Sequence, residues 1–481
     1  MNIVHVASEM FPYIKTGGLA DVVGALARKL AQRGHQVSVF LPGYREVVEH
    51  EEIASHLRRV QRLRIEMGNS FMTGDVREFE AEPGLRVFLI CREEFFDRKL
   101  PYGNGERDYE DNYLRFIFFC KGVIEVMRRN DLNADVLHSH DWPAGLMPIL
   151  TRVEEERQAM TLAIRTVHTI HNIAFQGLFP MRAFYRTNLP DELMGVDGLE
   201  YYGQASMMKA GLQFADRITT VSPNYAREIQ TPEFGCGLDG MVSQRADDLS
   251  GMINGIDTAT WNPMTDPLIP GHFHADDLGG KKLCRAELLK EHGFDPQFKG
   301  PIYGMVCRVT EQKGIPLLLA NEELIGDLKL KLIIVGFGDP KLEAQLRELA
   351  ARWPQKVSYR PALSERMSHR IEAGSDFFLM PSLFEPCGLN QMYSQAYGTI
   401  PVAAAVGGLI DTIVDIEADP ENGAGILVEP TAKGLAAGFA RAQTLHADRK
   451  AYAKAQQNGM RRDFGWDHAV TTYEQFYADI V

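Results

Sequence analysis

The feature that most constrains this chain is a strand-then-helix rhythm that starts twice. In the first half, "NIVHVAS", "HQVSVFLP", "LRVFLI", "ADVLHSHD", "RTVHTIHN" and "ADRITTVS" are short apolar, β-branched runs separated by helical patterns. From about residue 300 the rhythm begins again with "IYGMVCRV", "KLIIVGFGDP", "SDFFLMPS", "IPVAAAV" and "AGILVEP". Buried parallel strands alternating with helices make doubly wound sheets, and 481 residues exceed what one core usually supports. The expectation is an α/β chain of two doubly wound, Rossmann-like domains facing a cleft. Between the halves, "GMINGIDTATWNPMTDP" is rich in Gly, Asn, Asp and Pro and reads as the connection, so the domains are expected to span 1–252 and 253–460.

Composition removes several partners. No apolar run approaches the roughly 20 residues a membrane-spanning helix needs, so no membrane partner is expected. The first strand follows directly on the N-terminus without a signal-like segment, and six cysteines lie scattered with no C-x-x-C pair; both fit a cytoplasmic protein with reduced thiols. A formal charge of −13 argues against nucleic acid, which is held by clustered Lys and Arg. Any bound anion must meet a local positive pocket. A polar stretch at 97–112, "DRKLPYGNGERDYEDN", reads as a long surface loop of the kind that often carries function.

Ligands of doubly wound sheets bind outside the C-terminal strand ends, and the polar residues of this chain concentrate there. After the first strand come Lys15, Gly17 and Gly18, where glycines let backbone N–H groups approach a phosphate or sugar hydroxyl at a helix N-terminus. Later strands end in His140, Asp141 and Trp142, and in His171 and Asn172. In the second half the strand ends carry Arg308 and Lys313, the turn from Gly336 to Asp339, and "PSLFEPCGLN" from Pro381 to Asn390. Arg308 supplies a planar fork and Lys313 a compact charge, a pair suited to one small anion. Glu385, with the N–H groups of Cys387 and Gly388, suits sugar hydroxyls; its alternative role is to cap the following helix. Each residue alone also reads as a cap, a solvated charge or a buried hydrogen-bond partner.

Other chemistries lack their signatures. There is no G-x-x-x-x-G-K-[ST] loop, no G-x-S-x-G elbow, no H-E-x-x-H and no D-x-D triplet, and the strand-end turn "GFGDPK" lacks the third glycine of G-x-G-x-x-G. A nicotinamide oxidoreductase would need that complete glycine fingerprint at such a strand-end turn. In "HSHD" two histidines at strand spacing share a face, but the segment offers no third ligand, so no metal is expected.

Taken together and in order, "KTGGLADV", "HDWPAG", "TIHNIAFQG", "MINGID", "CRVTEQKG" and "PSLFEPCGLNQMYSQAYG" resemble the bacterial glycogen synthases and plant starch synthases. The similarity runs from the first strand to "FGWDHAV". It implies a retaining glucosyltransferase of the GT-B architecture, moving glucose from ADP-glucose to the non-reducing end of an α-1,4-glucan without metal or cofactor. It also implies an acceptor-side first domain, a nucleotide-sugar-binding second domain, and a C-terminal helix, 461–481, packing back on the first.

By this resemblance Arg308 and Lys313 clamp the donor diphosphate, with Lys15, Gly17 and Gly18 assisting from the opposite domain on closure. His171 lies beside the transferred glucose and Glu385 holds its hydroxyls, which makes His171, Arg308, Lys313 and Glu385 the implied catalytic set. Gly336, Gly338, Leu363, Cys387, Gly388, Leu389, Asn390 and Thr412 are the further implied donor contacts; Tyr109, Asp141 and Asn254 line the acceptor or cleft. Where related retaining transferases carry a second Glu eight residues after the first, this chain has Tyr393, as the resembled synthases also lack that Glu. At Leu363 the family usually has an aromatic residue against the donor base, so a UDP-glucose enzyme of the same fold stays open, as does a non-catalytic glucan- or nucleotide-sugar-binding protein.

Overall fold

The computed structural model describes residues 1–105, 107–130, 132–157 and 164–481. Glu106, inside the expected 97–112 loop, lies outside the described residues. The chain divides into two compact units: Met1–Val221 with Ala226–Met252 and Trp466–Val481, and Ser222–Tyr225 with Ile253–Gly465.

In the first unit the strands are β1 (Asn2–Val6), β2 (Gln36–Pro42), β3 (Arg58–Met67), β4 (Ser70–Glu82), β5 (Leu85–Cys91), β6 (Val136–His140), β7 (Arg165–Ile170), β8 (Leu178–Pro180), β9 (Glu200–Tyr201), β10 (Gln204–Ser206), β11 (Arg217–Thr220) and β12 (Leu249–Gly251). Nine of these form one sheet in the order β12-β11-β7-β6-β1-β2-β5-β4-β3, and β8-β10-β9 form a small second sheet. Pairing is parallel from β12 to β5. It turns antiparallel at β4 and β3. That hairpin departs from the all-parallel expectation. Its strands alternate charged and apolar residues in "RRVQRLRIEM", because an edge hairpin has one solvated face and lacks the continuous apolar run of a doubly covered strand. Gly68 at a φ of 65° turns the chain between them.

The helix Gly18–Gln32 covers β1 and β2 with a stripe at helical spacing in which Val22, Val23, Leu26, Ala27 and Leu30 are buried. The last helix, Trp466–Ala478, packs beside it. Its Val470, Tyr473 and Tyr477 sit in the same core, and Glu474 pairs with Arg33 at 2.6 Å.

The second unit adds β13 (Ile302–Val306), β14 (Lys331–Val335), β15 (Val357–Arg360), β16 (Phe377–Met380), β17 (Ile400–Ala404) and β18 (Ile426–Val428). They form one parallel sheet in the order β15-β14-β13-β16-β17-β18. Counted within the unit this is 3-2-1-4-5-6, the doubly wound order, with its reversal between β13 and β16. Among the described residues no helix is long and apolar enough to cross a membrane.

Candidate active site

Each sheet has one point where the strand order reverses, and the candidate residues fall at both. In the first unit the reversal lies between β1 and β6. The segment after β1 carries Lys15, Gly17 and Gly18, all exposed. Lys15 Nζ sits 2.7 Å from Asp21 and above the Phe11 ring.

This segment is pinned by a residue that sequence reasoning passed over. The carboxylate of buried Glu9 accepts hydrogen bonds from the Thr16 N–H, from Thr16 Oγ1 at 2.7 Å and from the Gly17 N–H at 3.3 Å. Tyr102 donates its hydroxyl to the same carboxylate at 2.5 Å. The expectation that Gly17 offers its N–H to an anion is therefore corrected: that donor is spent on Glu9, and what remains is the start of the helix and Lys15. A Glu next to a strand end reads from sequence as a solvated charge; only the folded loop makes it an anchor.

At the end of β6, Asp141 takes a φ of 53°, a conformation unusual for a residue with a side chain and costing about 1–3 kcal/mol. The strain brings its Oδ1 under the end of β7, where it accepts from the N–H groups of His171 at 2.7 Å and Asn172 at 3.3 Å. Burial pushes the Asp141 carboxyl up to about 7, partly opposed by those two N–H groups. His171 is itself buried and its imidazole is pushed down to about 3, so it is held neutral.

His138 and His140 share a face, as their spacing implies, with ring centroids 4.1 Å apart. The absence of a third histidine is corrected: His5 of β1 stands in register with His138. Nitrogens of His5, His138 and His140 lie within 4.8 Å of one another. All of these nitrogens but His5 Nε2 are already engaged, since His138 meets Tyr477 Oη and Thr169 Oγ1, while His140 meets His5 and His171. Tyr109 is half-buried against the guanidinium of Arg98.

In the second unit the reversal lies between β13 and β16. After β13 the chain passes Arg308, which is exposed and makes no ion pair among the described residues, and turns through Glu311–Lys313. Gly314 ends that turn at a φ of 71°, and a Cβ there would lie 1.8 Å from the Pro381 carbonyl oxygen. Bonds from the Leu383 N–H to the Gln312 carbonyl and from Gln312 Nε2 to the Phe384 carbonyl join the two strand ends.

The result is an ion pair of Lys313 Nζ with Glu385 at 2.5 Å, with Ser382 Oγ donating to the same carboxylate. Both charged side chains are largely withdrawn from water. The N–H groups of Cys387 and Gly388 make no hydrogen bond among the described residues. Burial holds the Cys387 thiol up at about 12, so it is no nucleophile.

The remaining second-unit candidates divide by their surroundings. Gly336 and Gly338 press on the backbone carbonyls of Cys307 and Val309, which joins the turn after β14 to the end of β13. Asn390 Nδ2 donates to the Val306 carbonyl, and Leu389 precedes its helix half-buried. Leu363 is 49% exposed, just ahead of Ser364, which caps the next helix. Asn254 is buried, and its Oδ1 has no partner among the described residues. Thr412 is a correction: its hydroxyl is buried, donating to the Gly408 carbonyl and accepting from Gln391 Nε2, so it offers nothing to a ligand.

Comparison with known proteins agrees with this layout. The family model for the starch synthase catalytic domain matches residues 2–244, and the one for glycosyl transferases group 1 matches residues 290–461. The chain is 60% identical to a glycogen synthase of Opitutus terrae, covering 100% of both chains. It is 40% identical to glycogen synthase 2 of Geobacter sulfurreducens over 99% of this chain and 98% of that one. Among solved structures it is similar to the catalytic domain of starch synthase IV from Arabidopsis thaliana bound to ADP and acarbose, with a TM-score of 0.89 and 29% identity over 99% of this chain and 98% of that one. Sucrose-phosphate synthase from Thermosynechococcus elongatus, with a TM-score of 0.62 and 19% identity over 100% and 99% of the two chains, shares the fold alone. With two doubly wound units, charged strand ends and full-length similarity, the chain belongs to the glycogen and starch synthase family of GT-B glycosyltransferases.

Proposed function

We propose that this protein transfers glucose from ADP-glucose to the non-reducing end of an α-1,4-glucan, with retention at the anomeric carbon. The observation that carries this reading is the cationic strand end at the switch point of the second sheet, Arg308 beside the Lys313–Glu385 pair, in a chain of this family. When the bond from glucose to the nucleotide diphosphate breaks, the departing phosphate gains negative charge, and fixed cations stabilise it without reorganising. Arg308, exposed and without an ion-pair partner among the described residues, suits that charge, and Lys313 joins it. Glu385 is aligned by Lys313 and Ser382 to accept from sugar hydroxyls. The N–H groups of Cys387 and Gly388 are further donors, while Lys15 and Gly18 are the donor contacts proposed in the first unit.

His171 attends the transferred glucose near its 6-hydroxyl and anomeric carbon, and Asp141, Tyr109 and Asn254 serve the acceptor. A retaining glycosidase would place a nucleophilic carboxylate against the anomeric carbon. Here Glu385 is engaged by Lys313 and Ser382, which favours attack of the acceptor hydroxyl on the face the diphosphate leaves, the leaving group taking its proton. The test is incubation with glycogen and ADP-glucose, with UDP-glucose in parallel, following nucleotide release and glucan growth together. Equal ADP release and chain extension, faster with ADP-glucose, is the expected result. Binding without turnover, or faster transfer from UDP-glucose, would overturn the assignment.

A further inference from the structure

Three buried imidazoles run in file from the core of the first unit to His171. His5 Nδ1 lies 3.0 Å from His140 Nε2, and His140 Nδ1 lies 3.0 Å from His171 Nε2. His5 and His140 are fully enclosed, and His171 is 9% exposed. We propose that His5 and His140 are positioning residues that fix His171 as its Nδ1–H tautomer, so that it presents a hydrogen-bond donor to the transferred sugar. The inference rests on the reading of His171 as a residue that touches the transferred glucose.

Burial pushes all three rings down, His5 and His171 to about 3, so each is neutral and carries one N–H and one lone pair. With both links formed, only two arrangements exist. If the file donates inward, His171 Nε2–H points to His140, His140 Nε2–H points to His5, and His5 must carry its own proton on Nε2. That atom is buried with no hydrogen-bond partner among the described residues. A buried N–H without an acceptor is rare in folded proteins and costs about 1–3 kcal/mol.

If the file donates outward, His5 Nε2 holds only a lone pair. His5 Nδ1–H then donates to His140, His140 Nδ1–H donates to His171 Nε2, and the His171 proton sits on Nδ1. Nδ1 is the ring nitrogen of His171 that has no partner among the described residues. The backbone of His171 is fixed separately by Asp141 Oδ1 on its N–H, so ring and main chain are held from two sides. His138, beside the file, is outside it, because its two nitrogens meet Tyr477 Oη and Thr169 Oγ1.

The test is a long-range ¹H–¹⁵N correlation spectrum of the full-length protein labelled at histidine, with the His171 ring assigned by loss of its signals in His171→Gln. The expected pattern is a protonated Nδ1 and a bare Nε2 at pH 7.5. Kinetics follow on His140→Phe, which keeps the ring volume without nitrogens, and on His140→Asn, whose amide places a donor where Nδ1 was. His140→Phe should lower kcat about tenfold with KM for ADP-glucose unchanged and leave His171 in mixed tautomers; His140→Asn should recover most of the rate.

An Nε2–H His171 in the wild type would overturn the proposal. So would a folded His140→Phe with wild-type kcat, or one bound metal per chain whose removal by chelation collapses the His5 signals. Should His140→Phe fail to fold, the wild-type spectrum decides alone. His171→Ala with full turnover would overturn the catalytic reading beneath the inference, and the spectrum tells the two failures apart.

Discussion

Lys313 and Glu385 show how much a single residue can be made to do by its surroundings. Removing Lys313 leaves a buried carboxylate beside Ser382 and, on the proposed reading, strips a cation from the leaving group, whereas removing Arg308 costs only the second of these because it is exposed. Arg308→Ala is therefore expected to lower kcat roughly a hundredfold, about 3 kcal/mol, with an unchanged unfolding midpoint in urea. Lys313→Ala should lose at least as much turnover and also unfold earlier. Steady-state kinetics beside urea titrations of both variants check the contrast, and near-normal turnover in both removes the clamp. Asp141 makes a second prediction, from its raised carboxyl. The unfolded chain ionises near 3.9 and the folded one near 7, so between those values the folded state binds more protons and stability falls as pH rises. Asp141→Asn keeps an acceptor for the His171 and Asn172 N–H groups but carries no charge to bury. Its stability relative to wild type should rise by about 3 kcal/mol between pH 5 and pH 8, measured by urea unfolding at each pH; a pH-independent difference would contradict it. The placing of Arg308, Lys313 and Glu385 at strand ends was legible in sequence because charges there stand out against apolar runs. Glu9 and His5 were not, since each gains meaning only from a partner that the fold brings across a loop or a strand register.

The elements were read most securely where burial on both faces leaves a continuous apolar run, as in "IYGMV" and "KLIIV". The β3–β4 hairpin and β15 escaped that reading. Half-solvated strands interleave polar residues, and "VSYR" is too short to stand apart from its neighbours. What places the site is the order of these strands, with the chain crossing at β13 and β16 so that two strand ends diverge and leave room for a ligand. Gly314 joins those ends. With its φ of 71° and the Pro381 carbonyl 1.8 Å from where a Cβ would stand, Gly314→Ala cannot be absorbed by a side-chain movement. It should cost at least about 2 kcal/mol of stability and, by shifting Lys313 away from Glu385, reduce kcat more than tenfold. Urea unfolding and steady-state kinetics on the same preparation check both halves. A stable variant with wild-type kcat would show that the turn does not set the position of Lys313.

At the scale of the whole chain, the first unit is discontinuous in sequence: its last helix, Trp466–Ala478, arrives after the entire second unit has been made. That helix is part of the core. Trp466, Val470, Tyr473 and Tyr477 are buried with β1 and β6, and Tyr477 Oη meets His138 Nδ1 at 2.7 Å within the histidine cluster. Each fully buried large side chain contributes about 1.5–3 kcal/mol relative to exposure, so four of them approach the 5–15 kcal/mol by which an ordinary domain is stable. A chain ending at residue 465 should therefore lose the folded state of its first unit, with the apolar side of helix Gly18–Gln32 laid open to water. Limited proteolysis read by mass spectrometry would show this as rapid cleavage within residues 1–252 of the truncated chain where the full chain resists. The milder Tyr477→Phe keeps the ring and removes the hydroxyl. It should fold, lose about 1 kcal/mol through the unpaired His138 nitrogen, and shift the ring signals of His138. Equal protease resistance across residues 1–252 in truncated and full-length chains would mean that the terminal helix only rests on a core complete without it.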